Sequence, residues 1–116
     1  MKKYFFIGGV VLMLGMHSCA KDKGMPKSVS KCDSTVSFST TIAPLLNAQC
    51  TGCHSGSTPS GGVDFTTYAN TAPHAASIKN RVVVVQDMPQ SGSGFTLTEA
   101  ERQEFSCWIE QGALNN

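Results

Sequence analysis

The pattern of apolar and polar positions divides the chain into an apolar start, a polar stretch and a longer mixed region. Residues 4–16 are almost all apolar, whereas residues 20–31 are polar and lysine-rich and contain the helix breakers Gly24 and Pro26. In the mixed region, apolar residues recur at helical spacing near its beginning and again near its end. The pattern therefore predicts a helical domain that follows an apolar segment and a flexible linker.

The first helix of the domain is predicted from an apolar face at i, i+4, i+7 and i+8. This face consists of Phe38, Ile42, Leu45 and Leu46. Pro44 is tolerated only in the first turn of a helix, which places the predicted start near Thr41. Ser39, Thr40 or Thr41 could then supply the N-cap.

The last helix has a clear start and a clear end. Thr98 and Glu101 have the spacing of a capping box, with Thr98 as N-cap and Glu101 at the third helical position. Gly112 is suited to end the helix. The predicted apolar face consists of Ala100, Phe105, Trp108 and Ile109.

The start of the chain has the pattern of an export signal. Two lysines follow Met1, and the apolar residues 4–16 then cover well under the roughly 20 residues that cross a bilayer. We assign residues 1–18 to this signal, residues 19–31 to a flexible linker and residues 32–116 to the folded domain. The length of 116 residues, with 41% hydrophobic and 15% charged residues, suits one such domain.

Cys19 is a candidate lipidation site. Leu14–Cys19 resembles the end of a bacterial lipoprotein signal, in which the cysteine becomes the lipidated first residue. Ordinary cleavage after Ala20 is the alternative, because small residues also occupy its key positions. Either cleavage predicts an exported protein, in the periplasm or on the outer surface. We favour the membrane-anchored lipoprotein. An exported chain can form disulfides.

The charge of the domain differs from that of the whole chain. The full sequence has a formal net charge of +1, but residues 32–116 hold three basic and seven acidic side chains and are therefore acidic. A nucleic-acid-binding domain would need a clustered basic excess. The sequence therefore predicts no nucleic-acid partner.

The segment Cys50-Thr51-Gly52-Cys53-His54 has the C-x-x-C-H spacing of covalent haem attachment. Two thiols about one helical turn apart can add to the two vinyl groups of one haem, and the adjacent histidine can then bind the iron. A thioredoxin-like pair would need a preceding strand, where the sequence predicts helix. A structural zinc site would need a second close pair of ligands, which neither Cys32 nor Cys107 supplies.

The two ends of the domain carry a family resemblance. Residues 42–46 running into the C-x-x-C-H motif, together with residues 97–116, resemble the first helix with its haem motif and the last helix of class I c-type cytochromes. The last helix in particular resembles that of small bacterial monohaem members of this family. The resemblance implies an all-α fold, with three to four helices around one covalently bound haem c. In that family the first helix packs across the last.

The resemblance also implies a sixth iron ligand. In the family a methionine in the loop before the last helix, often followed by proline, binds the iron opposite the histidine. Met88-Pro89 fits this position, and the remaining methionines lie before residue 32. The implied ligand pair is therefore His54 and Met88, with Cys50 and Cys53 holding the haem. His74 is the competing candidate for the sixth position.

Three features between the motif and the last helix fit a haem pocket. The glycine-rich residues 56–68 predict a loop around the haem edge, with Val63 and Phe65 as candidate pocket wall. Arg81 is either a partner for a haem propionate or a solvated side chain. The four valines at 82–85 are expected to be a strand or, in this context, an extended segment that lines the pocket.

Cys32 and Cys107 remain once the other cysteines have roles. Pairing them would join the start of the domain to its last helix and could stabilise the fold by a few kcal/mol. The sequence does not give their separation, so the pairing stays open at this point.

The function that the sequence predicts is one-electron transfer by a His/Met-ligated haem c in an exported redox chain. No nucleophile–base pair or substrate cleft is recognisable, so no enzymatic activity of its own is expected. The alternatives are a subunit of an oxidase or dehydrogenase, and a haem ligand sensor or peroxidase-like protein with an open iron site. The expected partners are redox proteins with a basic docking surface, and the membrane through the lipid anchor.

Overall fold

The computed structural model describes residues 32–116. The predicted export signal, Cys19 and the linker lie outside these residues. Within them the regular structure is entirely helical, with no β-strand, so the all-α prediction is confirmed at that level. The helices form three segments, and a separate 3₁₀ turn, Ser60–Gly62, lies in the glycine-rich stretch between the first two. No helix in this part of the chain has the length and apolarity that a membrane span requires.

The first segment begins as the π-helical turn Phe38–Ile42 and continues as helix α1, Ala43–Gln49. It starts earlier than the predicted position near Thr41, and the cap is Ser37, whose hydroxyl accepts a hydrogen bond from the backbone N–H of Thr40. The wider π turn adds helical residues ahead of Pro44. Pro44 is therefore the second residue of α1 but lies inside the continuous helical segment 38–49.

The middle segment runs through four short helical pieces. These are α2 at Tyr68–Thr71, a 3₁₀ turn at Ala72–His74, α3 at Ala75–Ile78 and a π-helical turn at Lys79–Val84.

The four valines at 82–85 are not extended, so that prediction was wrong. Val82 is 6% exposed, whereas Val84 is 67% and Val85 is 55% exposed. An extended segment would turn Val82 and Val84 to the same face, because side chains alternate along a strand. Burial of Val82 without Val84 instead fits the helical turn, and packing of this turn against the last helix outweighs the β-propensity of valine.

The last segment is helix α4, Glu99–Glu110, and it begins with the predicted capping box. Thr98 N–H donates to the Glu101 carboxylate over 2.7 Å, and Glu101 N–H donates to the Thr98 hydroxyl over 3.2 Å. Gly112 follows with φ of +98°, a conformation that suits glycine after a helix. The buried face differs in part from the predicted one, because Ala100 is exposed. It consists of Phe105, Ser106, Cys107 and Trp108.

The core lies where α4 packs against the first segment. Ile42, Phe105 and Trp108 are fully buried. The Phe38 ring lies 5.5 Å from the Trp108 ring and 5.1 Å from the Tyr68 ring, between centroids. Apolar burial of these large side chains is the main source of stability in so small a domain. The first and last helical segments are therefore in direct contact.

Cys32 and Cys107 form a disulfide whose Cα atoms lie 5.5 Å apart. It joins the start of the described region to α4 across 75 residues of sequence. Gln111 reinforces the same junction, since its side-chain amide accepts from Val36 N–H and donates to the Ser34 carbonyl, both over 2.8 Å. The irregular residues before the first helix are thereby fixed to the end of the last one.

Removing the disulfide is expected to destabilise the domain strongly. A cross-link over 75 residues contributes about 4 kcal/mol in the chain-entropy model, so Cys32→Ser should unfold at clearly lower guanidinium concentration than wild type. Asp33→Asn is the matched control, because this neighbouring position is exposed and the variant keeps the disulfide. Equal unfolding midpoints for Cys32→Ser and wild type would contradict the stabilising role.

Candidate functional site

A cavity of about 440 Å³ lies between the three helical segments. This volume is within the ~300–1,000 Å³ that small-molecule and cofactor pockets occupy. Its wall includes Cys50, Cys53, His54 and Met88, the four residues that are predicted to hold a haem and its iron. Leu46, Ile78, Val82 and Phe105 add apolar wall. Cys50 and Met88, which are 38 positions apart in sequence, thus lie at one site.

The C-x-x-C-H segment is a hydrogen-bonded turn at the end of α1. The backbone N–H groups of Cys53 and His54 both donate to the Cys50 carbonyl, over 3.1 and 2.9 Å. Cys50 itself continues the helix, because its N–H donates to the Leu46 carbonyl over 2.8 Å. Both thiols are free. The turn therefore presents two unpaired sulfurs and one imidazole to the same cavity.

Gly52, in the middle of this turn, lies against an aromatic ring. A Cβ at this position would be 2.5 Å from Cζ of Phe95, so a side chain would force the ring to move. Phe95 also lines the cavity. Glycine at this position of the motif thus leaves room for the Phe95 ring.

His54 is held in the tautomer that a metal ligand needs. Its Nδ1 lies 3.2 Å from the Val63 carbonyl oxygen, which can only accept, so Nδ1 carries the hydrogen. Nε2 then keeps its lone pair. The Phe65 ring packs 5.1 Å from the imidazole, between centroids. Val63 and Phe65, which are predicted as pocket wall, both line the cavity.

The environment of Cys50 does not suit a dithiol redox centre. Burial, with a smaller contribution from neighbouring Cys53, raises the pKa of the Cys50 thiol to about 11. Reactive cysteines of thioredoxin-like proteins have a lowered pKa, because the thiolate is the nucleophile. The segment that leads into the motif is also a helix rather than a strand. Both observations disfavour the thioredoxin-like alternative.

Met88 lies in the loop between the middle segment and α4. It is partly buried, and both polar groups of its backbone are hydrogen-bonded. Its N–H donates to the Arg81 carbonyl over 3.3 Å, and its carbonyl accepts from Nη1 of Arg102 over 3.2 Å. The Met88–Pro89 peptide bond is cis.

His74 and Arg81, whose roles the sequence leaves open, also line the cavity. His74 does so with its ring 6.2 Å from the Phe65 ring, between centroids, so it stays a competitor of Met88. Arg81 is engaged elsewhere, because its Nε donates to both carboxylate oxygens of Asp87, over 2.7 and 2.9 Å. This ion pair was not expected from the sequence.

The structure gives no support to a structural zinc site. Within residues 32–116 no three His, Cys, Asp or Glu side chains are grouped so that they could hold a metal ion among themselves. Cys32 and Cys107, which have no neighbouring cysteine in sequence, are bonded to each other in the disulfide.

Comparison of the chain with protein-family models, with curated proteins and with solved structures found no match. The motifs and the geometry of the cavity are therefore the features of this chain that indicate a function.

Proposed function

We propose that this chain is a monohaem c-type cytochrome with the small all-α cytochrome c fold, and that it carries single electrons. The observation that supports this most is the composition of one cavity wall. Cys50, Cys53 and His54 of the C-x-x-C-H motif line the same cavity as Met88. Met88 is the one methionine in residues 32–116.

The residues of the cavity fit a haem c. Cys50 and Cys53 are free to hold it through two thioether bonds, and His54 has an available Nε2. When bound, haem c supplies an iron that changes its oxidation state by one electron. The apolar part of the wall would lower the local dielectric around this centre.

Met88 is the proposed sixth ligand. Its thioether sulfur is a soft donor that favours ferrous iron, so a His/Met pair gives a higher reduction potential than two histidines. A methionine in this position also occupies the coordination site that a gaseous ligand would need. Electron transfer is therefore the function that this ligand pair supports. If Met88 does not bind the iron, the site is open and the alternative function is that of a haem ligand sensor or peroxidase-like protein.

The redox partner proposed for this domain has a basic docking surface. The three cations within residues 32–116 all have partners, since Lys79 and Arg81 pair with Glu110 and Asp87 while Arg102 binds backbone carbonyls. The acidic side chains outnumber them and leave the domain negatively charged. Complementary charge steers association and raises its rate. Export and the lipid anchor at Cys19 belong to the same proposal.

Absorption spectroscopy combined with acidified acetone tests the proposal. The purified protein should change its spectrum on reduction, as a haem protein does, and its colour should stay with the polypeptide when acidified acetone is added. Acidified acetone extracts haem that is not covalently bound. The double variant Cys50→Ser/Cys53→Ser is the control and should lose the covalent colour. Colour of the wild-type protein in the organic phase would contradict the proposal.

A further inference from the structure

Arg102, on α4, bonds the backbone of the preceding π-helical turn and of the Met88 loop. Its guanidinium Nη1 donates to the Val82 carbonyl over 2.5 Å and to the Met88 carbonyl over 3.2 Å. Both bonds are partly buried. Val82 belongs to the π-helical turn that precedes the loop. One side chain therefore connects three parts of the cavity wall.

The second bond acts directly on the backbone of Met88. The Met88 N–H donates to the Arg81 carbonyl, and the Met88 carbonyl accepts from Arg102. Both polar groups of the Met88 backbone are therefore bonded. Hydrogen bonds from a charged donor are roughly twice as strong as neutral ones. Methionine has a long, flexible side chain, and a fixed backbone narrows the range of positions that its sulfur can reach. Groups that bond a ligand residue in this way orient it toward the metal.

We infer that Arg102 is a positioning residue that keeps Met88 bound to iron. This inference rests on the proposed function, because it assigns Arg102 a role at the proposed sixth ligand. Arg102 does not touch the iron; it acts through the Met88 carbonyl. Loss of its guanidinium should therefore free the loop and weaken Met88 ligation, while the haem attachment through Cys50 and Cys53 stays intact.

Lys79 provides a matched control. It also links the middle segment to α4, through an ion pair with Glu110 over 3.1 Å. This pair is partly exposed and does not involve Met88. Lys79→Gln thus removes the same charge, and one contact between the same two segments, without changing the Met88 backbone.

The experiment compares Arg102→Gln, Arg102→Lys and Lys79→Gln with the wild-type holoprotein. Three readouts follow ligation: the weak ferric absorption band at the red end of the spectrum, its loss on heating, and carbon monoxide binding by the ferrous form. In Arg102→Gln we expect the fraction without Met88 ligation to rise by about tenfold or more, because a charge-assisted bond is lost. The band should then disappear at lower temperature and carbon monoxide binding should appear. Lys79→Gln should behave as wild type.

The outcomes separate this inference from the proposed function. Absence of the band from the wild-type protein would overturn Met88 ligation, and the role of Arg102 with it. A wild-type band that Arg102→Gln retains over the same temperature range, without carbon monoxide binding, would overturn the role of Arg102 alone. If Arg102→Gln does not fold, Arg102→Lys decides. This variant keeps the charge but lacks the planar fork, so a band lost at lower temperature than in Lys79→Gln supports the role. Loss at the wild-type temperature overturns it.

Discussion

Met88→Ala is expected to lower the reduction potential and to make the ferrous protein bind carbon monoxide. Alanine has no donor atom, so the proposed sixth position of the iron opens when the thioether is removed. Axial-ligand identity moves haem potentials over ~0.8 V, and we expect a decrease on the order of 0.1 V for this change. The ferric band at the red end of the spectrum should disappear. Redox titration and carbon monoxide binding measure these effects.

His74→Ala is the control for Met88→Ala. His74 lines the same cavity but is not the proposed ligand, so the variant should keep the red band and a potential close to that of wild type. An unchanged spectrum in Met88→Ala, with a changed one in His74→Ala, would assign the sixth position to His74. Carbon monoxide binding by the wild-type protein would indicate an open iron site. In that case the sensor or peroxidase-like function would replace electron transfer.

Trp108→Ala is expected to cause the largest loss of stability. The indole is fully buried, and its Nε1 donates to the Leu114 carbonyl over 2.9 Å. Truncation of a buried tryptophan to alanine costs about 3–5 kcal/mol, and small domains have only about 5–15 kcal/mol of stability. The variant should therefore be partly unfolded or unfold at very low denaturant. Guanidinium titration followed by far-ultraviolet circular dichroism gives the free energy of unfolding.

Two further variants separate the contributions to this loss. Leu114→Ala truncates an apolar side chain that is 51% exposed, so its effect should be far smaller than that of Trp108→Ala. Trp108→Phe keeps most of the buried aromatic area but leaves the Leu114 carbonyl without its donor, which should cost about 1–3 kcal/mol. If Trp108→Ala were no less stable than Leu114→Ala, the core would not depend on this residue.

Local signals in the sequence were sufficient to predict the start of the last helix and the turn of the C-x-x-C-H motif. The capping box at Thr98 and Glu101 needs only four consecutive positions, and the structure contains both of its hydrogen bonds. The C-x-x-C-H spacing places Cys50, Cys53 and His54 on one turn for the same local reason. These features depend on neighbours in sequence, and their physical cause can be recognised without the fold.

Three features that depend on contacts between distant parts of the sequence were not predicted. The valines at 82–85 have strong β-propensity, but burial of Val82 in the core makes the segment helical. Phe95, in a polar glycine-rich loop, has no local pattern that reveals its contact with Gly52. A partial signal existed for Arg102, because it lies three residues before Phe105 and therefore on a neighbouring part of the same helical face.

Trp108 also gives the protein an intrinsic optical reporter. It is the single tryptophan of the chain, and it lies one helical turn from Phe105, which lines the cavity. Indole emits at wavelengths that a haem absorbs, so excitation energy would pass from Trp108 to a haem bound in that cavity. The folded and loaded protein would then be almost dark in fluorescence, and the empty or unfolded chain would be bright. One emission signal could thus follow both cofactor loading and unfolding without an added dye.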